Sequence, residues 1–77
     1  GVMALTQALA DELRAKDVRV NAVLPTIIDT PTNRKDMPDA DTTAWVKPEA
    51  AAKVIAFLLS EESACVTGVG IRLSLAG

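Results

Sequence analysis

At 77 residues and a net charge of −2, the chain has room for one domain at most, and a domain that small buries only about 60% of the surface its unfolded chain exposes. Hydrophobic residues make up 49%, which excludes global disorder, but aromatics supply only 3%, Trp45 and Phe57, so the core has to be aliphatic. The eight basic residues are scattered, which speaks against a nucleic-acid partner. No run of about 18 apolar residues marks a membrane span, and no basic stretch leads an apolar segment as a secretory signal would. A single cysteine, Cys65, makes no internal disulfide and reads as a small core residue. Histidine, the commonest acid–base group and metal ligand, is absent. A reducing cytoplasm is the expected compartment.

Val2 to Ala15 reads as a helix, with Val2, Leu5, Leu9 and Leu13 at helical spacing on one face and Gln7, Asp11 and Arg14 in a polar stripe. Met3, Ala4, Ala8 and Ala10 widen the apolar surface beyond what a short chain can cover. Val18 to Leu24 is rich in β-formers and alternates until Pro25 stops it. About twenty residues without helical or strand periodicity follow, a length that marks a loop as functional or disordered. Pro48 opens a second helix at a first-turn position, where its missing amide costs nothing, and Glu49 suits the helix dipole. That helix carries Ala51, Val54, Ile55, Leu58 and Leu59 before fraying at Ser60 to Ser63. Val69 to Leu75 is a final strand, introduced by Thr67 and Gly68.

The order helix, strand, loop, helix, strand predicts a right-handed crossover between parallel strands. Two parallel strands make a poor sheet alone, because such sheets normally bury both faces. In open α/β sheets the ligand sits in the crevice beyond the carboxyl ends of the strands, here the segment after Leu24.

Gly1-Val2, Leu5-Thr6, Leu9-Ala10, Glu12-Leu13, the run Val18-Arg19-Val20-Asn21-Ala22-Val23, then Pro25, Asp29-Thr30-Pro31, Val66-Thr67-Gly68 and Gly70-Ile71 resemble the C-terminal third of a short-chain dehydrogenase/reductase. The resemblance covers essentially all 77 residues in order. The stretch Ile28-Asp29-Thr30-Pro31, Asn33-Arg34-Lys35, Met37-Pro38, Ala40-Asp41 and Trp45 is most similar to dihydropteridine-reductase-like members. It implies an α/β fold, the C-terminal fragment of a Rossmann-type doubly wound sheet, forming one partial unit over 1–77 with a mobile cofactor and substrate lid over 25–47.

The resemblance further implies NAD(H) or NADP(H) as the parent cofactor. Pro25 would begin the loop that seats the nicotinamide, Ile28 would offer backbone groups to the carboxamide, and Thr30 would offer its hydroxyl to the amide or a phosphate. Read without the family, Thr30 is a helix N-cap or turn hydroxyl. Most members carry glycine after the proline, whereas this chain has Thr26. Asn33 and Arg34 would lie in the substrate lid, with Arg34 able to meet an anionic group, and Trp45 would pin the lid to the second helix. The family's glycine-rich phosphate loop has no counterpart in these residues. There is no tyrosine, and none of the four lysines stands in a tyrosine–lysine pair.

Asp36, Asp39 and Asp41 carry the hard oxygens a divalent cation takes, but Pro38 stiffens the segment and the spacing matches no cation-binding loop, so no metal is expected. Two readings stay open at this level. One is an oxidoreductase segment with no chemistry of its own and no tightly bound cofactor. The other is a small stand-alone protein acting by association with itself, a partner or a metal ion. The unpaired strand edge predicts a homodimer or larger homo-oligomer.

Overall fold

The computed structural model describes residues 1–75. Helix α1 spans Val2–Leu13 and tightens into a short 3-10 turn, Arg14–Lys16, that closes on left-handed Asp17 at φ 59°. Strand β1 spans Ala22–Pro25, helix α2 Pro31–Asp36, helix α3 Pro48–Leu59, and strand β2 Gly70–Leu73. A second 3-10 turn, Glu61–Ser63, follows α3. The strands pair in parallel, from Ala22 opposite Gly70 to Pro25 opposite Leu73, as the crossover order predicted.

Pro25 does not stop the strand; it is its last residue. Ala22 donates to Val69, just before β2, at 2.9 Å, and Thr26 donates to Leu73, the last residue of β2, at 3.0 Å. Alternation therefore turns Pro25 toward the other edge, where an absent N–H breaks no ladder bond. The predicted strand from Val18 is shorter because its opposing segment bends at Gly68. Residues 19–21 are held by individual bonds instead. Val20 accepts from the Gly68 amide at 2.8 Å, and the Asn21 side chain bonds both Val66 and Val69. The Arg19 guanidinium donates to the carbonyls of Ser60, Ser63 and Val66 and to the hydroxyl of fully buried Ser63. One planar cation with five donors thus pins the turn before β2 onto the approach to β1.

Gly68 sits at φ +76°, and a Cβ added there would lie 3.4 Å from that of Ala10. The contact is tolerable; the backbone is not, since a left-handed conformation costs an L-residue roughly 1–2 kcal/mol. Gly68→Ala should lower unfolding stability by about that amount in a urea titration.

The core is thin. Val46, Ala51 and Leu73 form its buried cluster, with Val23, Val54 and Ile71 packed against it, and Trp45 is also buried. Helix α1 presents a different face from the one its large residues mark. Thr6 and Ala10 are buried, while Val2 and Leu5 remain 61% and 60% exposed. Small residues let the helix approach closely, and the Thr6 hydroxyl satisfies itself by donating to the Val2 carbonyl at 2.7 Å. Cys65, expected in the core, is exposed in the turn between Ser63 and β2. Among the described residues no helix is long and apolar enough to cross a membrane.

Candidate functional site

The segment leaving the carboxyl end of β1 is more ordered in its geometry than its sequence suggested. Thr26 takes no glycine-like conformation: its φ is not positive, and both its amide and its hydroxyl bond the Leu73 carbonyl. The chain then crosses beside Val46, which donates to Ile27 at 2.8 Å and accepts from Asp29 at 2.7 Å, a single parallel bridge at Ile28. In that bridge the polar groups of Ile28 itself face away from Val46. Its carbonyl accepts from the Asn33 side-chain amide at 2.7 Å. Its N–H has no partner among the described residues.

Thr30 caps α2, accepting from the Asn33 backbone amide at 3.1 Å, and Pro31 occupies the first helical position. The hydroxyl hydrogen of Thr30 remains available for donation. Helix α2 replaces what reads as unstructured loop in the sequence. Its six residues are too few to show a period, but the Thr-Pro start and the basic Arg34 and Lys35 in its last turn were legible signals.

Arg34 does not stand free for an anionic ligand. It makes a bidentate pair with Asp29, Nε to Oδ1 at 2.6 Å and Nη2 to Oδ2 at 2.9 Å, and reaches Thr42 at 3.5 Å. The hydrogen bond from Arg34 holds the Asp29 carboxyl below its ordinary value, and the same bond raises Arg34. Asp29, Thr30 and Arg34 share an open cleft of roughly 660 Å3 with Lys47, Pro48 and Glu49. The two partners of the ion pair lie five positions apart, a spacing with no periodic signature, so sequence reasoning assigned Arg34 without its partner.

The acidic trio stays apart. Asp36 ends α2, and Asp41 folds back to accept from the amide and hydroxyl of Thr43, which lowers its pKa. Among the described residues no group of three metal-capable side chains forms.

An aspartate held below its unfolded value stabilises the fold above that value, and the contribution is lost as pH falls through the folded one. Acidification through the carboxylate range should therefore open the Asp29–Arg34 pair and speed amide exchange over residues 31–36 while β1 and β2 stay protected. Asp41 titrates in the same direction, so Arg34→Gln at neutral pH separates the two by removing the Asp29 contribution alone. The effect is small, because Arg34 is 56% exposed.

The family pattern described as Enoyl-(Acyl carrier protein) reductase matches residues 1–73. The chain belongs to the short-chain dehydrogenase/reductase family. It is 43% identical to a 3-oxoacyl-[acyl-carrier-protein] reductase of Thermotoga maritima, covering 88% of this chain and 31% of that protein. It is 41% identical to a (3R)-3-hydroxyacyl-CoA dehydrogenase of Mus musculus, covering 96% and 32%. Among solved structures, a short-chain type dehydrogenase/reductase from Mycobacterium ulcerans superposes with a TM-score of 0.82 at 32% identity, over 94% of this chain and 30% of the other. An NADPH-bound short-chain oxidoreductase from Pseudomonas aeruginosa gives 0.79 at 31% identity, over 95% and 34%. The chain thus spans about a third of the length of the relatives it matches, and its two parallel strands and flanking helices form part of the short-chain reductase α/β sheet.

Proposed function

We propose that this chain is the C-terminal segment of an NAD(P)-dependent short-chain oxidoreductase, with a lid closest to that of the dihydropteridine reductases. In this reading the 77 residues supply the nicotinamide-facing loop and the lid but not the proton-transfer chemistry. The observation that carries it is a pair of donors just beyond β1 with no acceptor among the described residues, the Ile28 N–H and the Thr30 hydroxyl, in a chain of this family. Backbone and hydroxyl donors of this kind orient a planar amide while leaving a ring face open for hydride transfer. The sequence Ile28 to Trp45 supports the dihydropteridine-type lid.

The test is complementation. The chain is combined with the remainder of the Thermotoga relative, and nicotinamide oxidation is followed with a 3-oxoacyl substrate. Recovered turnover supports the reading; a folded complex that stays inert sinks it. A second reading, a small protein acting through self-association, draws on the exposed Val2 and Leu5.

A further inference from the structure

We propose that Met3 is an oxidation-sensitive latch for the first half of α1: hydrogen peroxide converts its thioether to a sulfoxide and frees that half, while the second half stays docked. Two glycines receive the helix. Met3, Thr6 and Ala10 follow one another at helical spacing and share one face of α1. At the far end of that face the Ala10 Cβ stands 3.4 Å from where a Cβ on Gly68 would lie. At the near end a Cβ on Gly70 would overlap the Met3 sulfur, and would lie 3.2 Å from the Met3 methyl and 3.1 Å from Leu24 Cδ1. Glycine within a strand forgoes side-chain packing and marks a close approach by another group. Here that group is the thioether. Thr6 and Ala10 are small and buried, so Met3 is the large side chain on this face, and it is only half-buried, within reach of a small oxidant.

The chemistry is a single oxygen transfer. The O–O bond of peroxide breaks, an S–O bond forms and water leaves; the sulfur is oxidised by two electrons as the peroxide is reduced. The product is polar and wider at the sulfur, the atom that Gly70 fits most closely. A methionine sulfoxide reductase with a thiol reductant reverses the step. The Ala10 contact at Gly68 holds nothing to oxidise, so the helix is freed from one end only.

The experiment uses the full chain carrying Cys65→Ser, which removes the exposed thiol as a competing target. After dilute hydrogen peroxide, peptide mass spectrometry counts sulfoxide at Met3 and at Met37, the other methionine, and amide exchange is read along α1. Oxidation of Met3 should speed exchange at Leu5 to Ala8 about tenfold, the scale of penalty for a polar oxygen at a packed contact. Asp11 to Leu13 and α3 should not change, and the reductase should restore the slow exchange. Met3→Leu should lose the response to peroxide, and Met37→Leu should keep it. Gly70→Ala should free Leu5 to Ala8 without oxidant, by displacing the sulfur. Unchanged exchange in a chain fully oxidised at Met3, or an equal response in Met3→Leu, overturns the latch. So does a Met3 that resists peroxide while Met37 oxidises. A Gly70→Ala chain that exchanges like the parent overturns the seat at Gly70.

Discussion

Incubated with NADH or NADPH and a panel of quinonoid pterins, ketones and alcohols, the 77-residue chain will show no change in nicotinamide absorbance above buffer. A positioned general acid is worth roughly 10²–10⁴ in rate, and that factor needs a group of tuned pKa within reach of the reacting oxygen. These residues include no tyrosine and no histidine. The titratable groups nearest the candidate segment, Asp29 and Arg34, neutralise each other and are shifted away from neutrality. Nothing among the described residues offers a glycine-rich turn at a helix start to wrap the cofactor's phosphates. Turnover in a preparation free of host reductases would overturn this expectation. Alongside the complementation test it separates a missing catalytic group from a misread segment.

The second large effect is on assembly. Sedimentation at micromolar concentration should show a dimer or larger species. Val2 and Leu5 lie three residues apart on one face of α1, each about three-fifths exposed. Completing their burial would contribute roughly 1–2 kcal/mol per side chain, and two copies supply four of them. That reaches the lower end of the association cost, about 4 kcal/mol upward. Helix packing is the better route than strand addition, because Pro25 leaves the free edge of β1 short of a donor. Leu5→Glu should therefore give a folded monomer with unchanged circular dichroism, whereas Val20→Lys, at a half-buried position, should lose fold and assembly together. A compact, stable wild-type monomer at that concentration would sink the idea.

What could be read from the sequence follows from what leaves a pattern. The strand pair, α1 and α3 were legible because alternation, helical period and Pro48 are local marks, and the structure keeps each of them within a few residues. The buried face of α1 was not legible. Large side chains marked one face, but close approach favoured the small Ala10 and the self-satisfied Thr6 on another. Arg19 read as the polar side of a strand, and its bonds to carbonyls more than forty residues away leave no trace in local spacing. At the candidate site, Ile28, Thr30, Asn33 and Arg34 were singled out by family resemblance, and the structure does bring them together. Their connections to one another, including the role of Asp29, run through contacts that no periodicity predicts. Cys65 was misplaced because cysteine's general preference for burial says nothing about a particular turn.

The bridge between Ile28 and Val46 closes the segment 29–45 at its neck. Residues beyond the neck can be added or removed without altering the register of β1 against β2, since the ladder is fixed on the near side of the bridge. Loop-closure entropy grows slowly, by roughly 0.6 kcal/mol for each doubling of length. The loop-closure penalty for inserting or deleting residues between Asp29 and Trp45 is therefore small compared with the penalty for disturbing Val46 itself, which is 4% exposed. A neck of this kind uncouples the length of the segment beyond it from the strand register beneath.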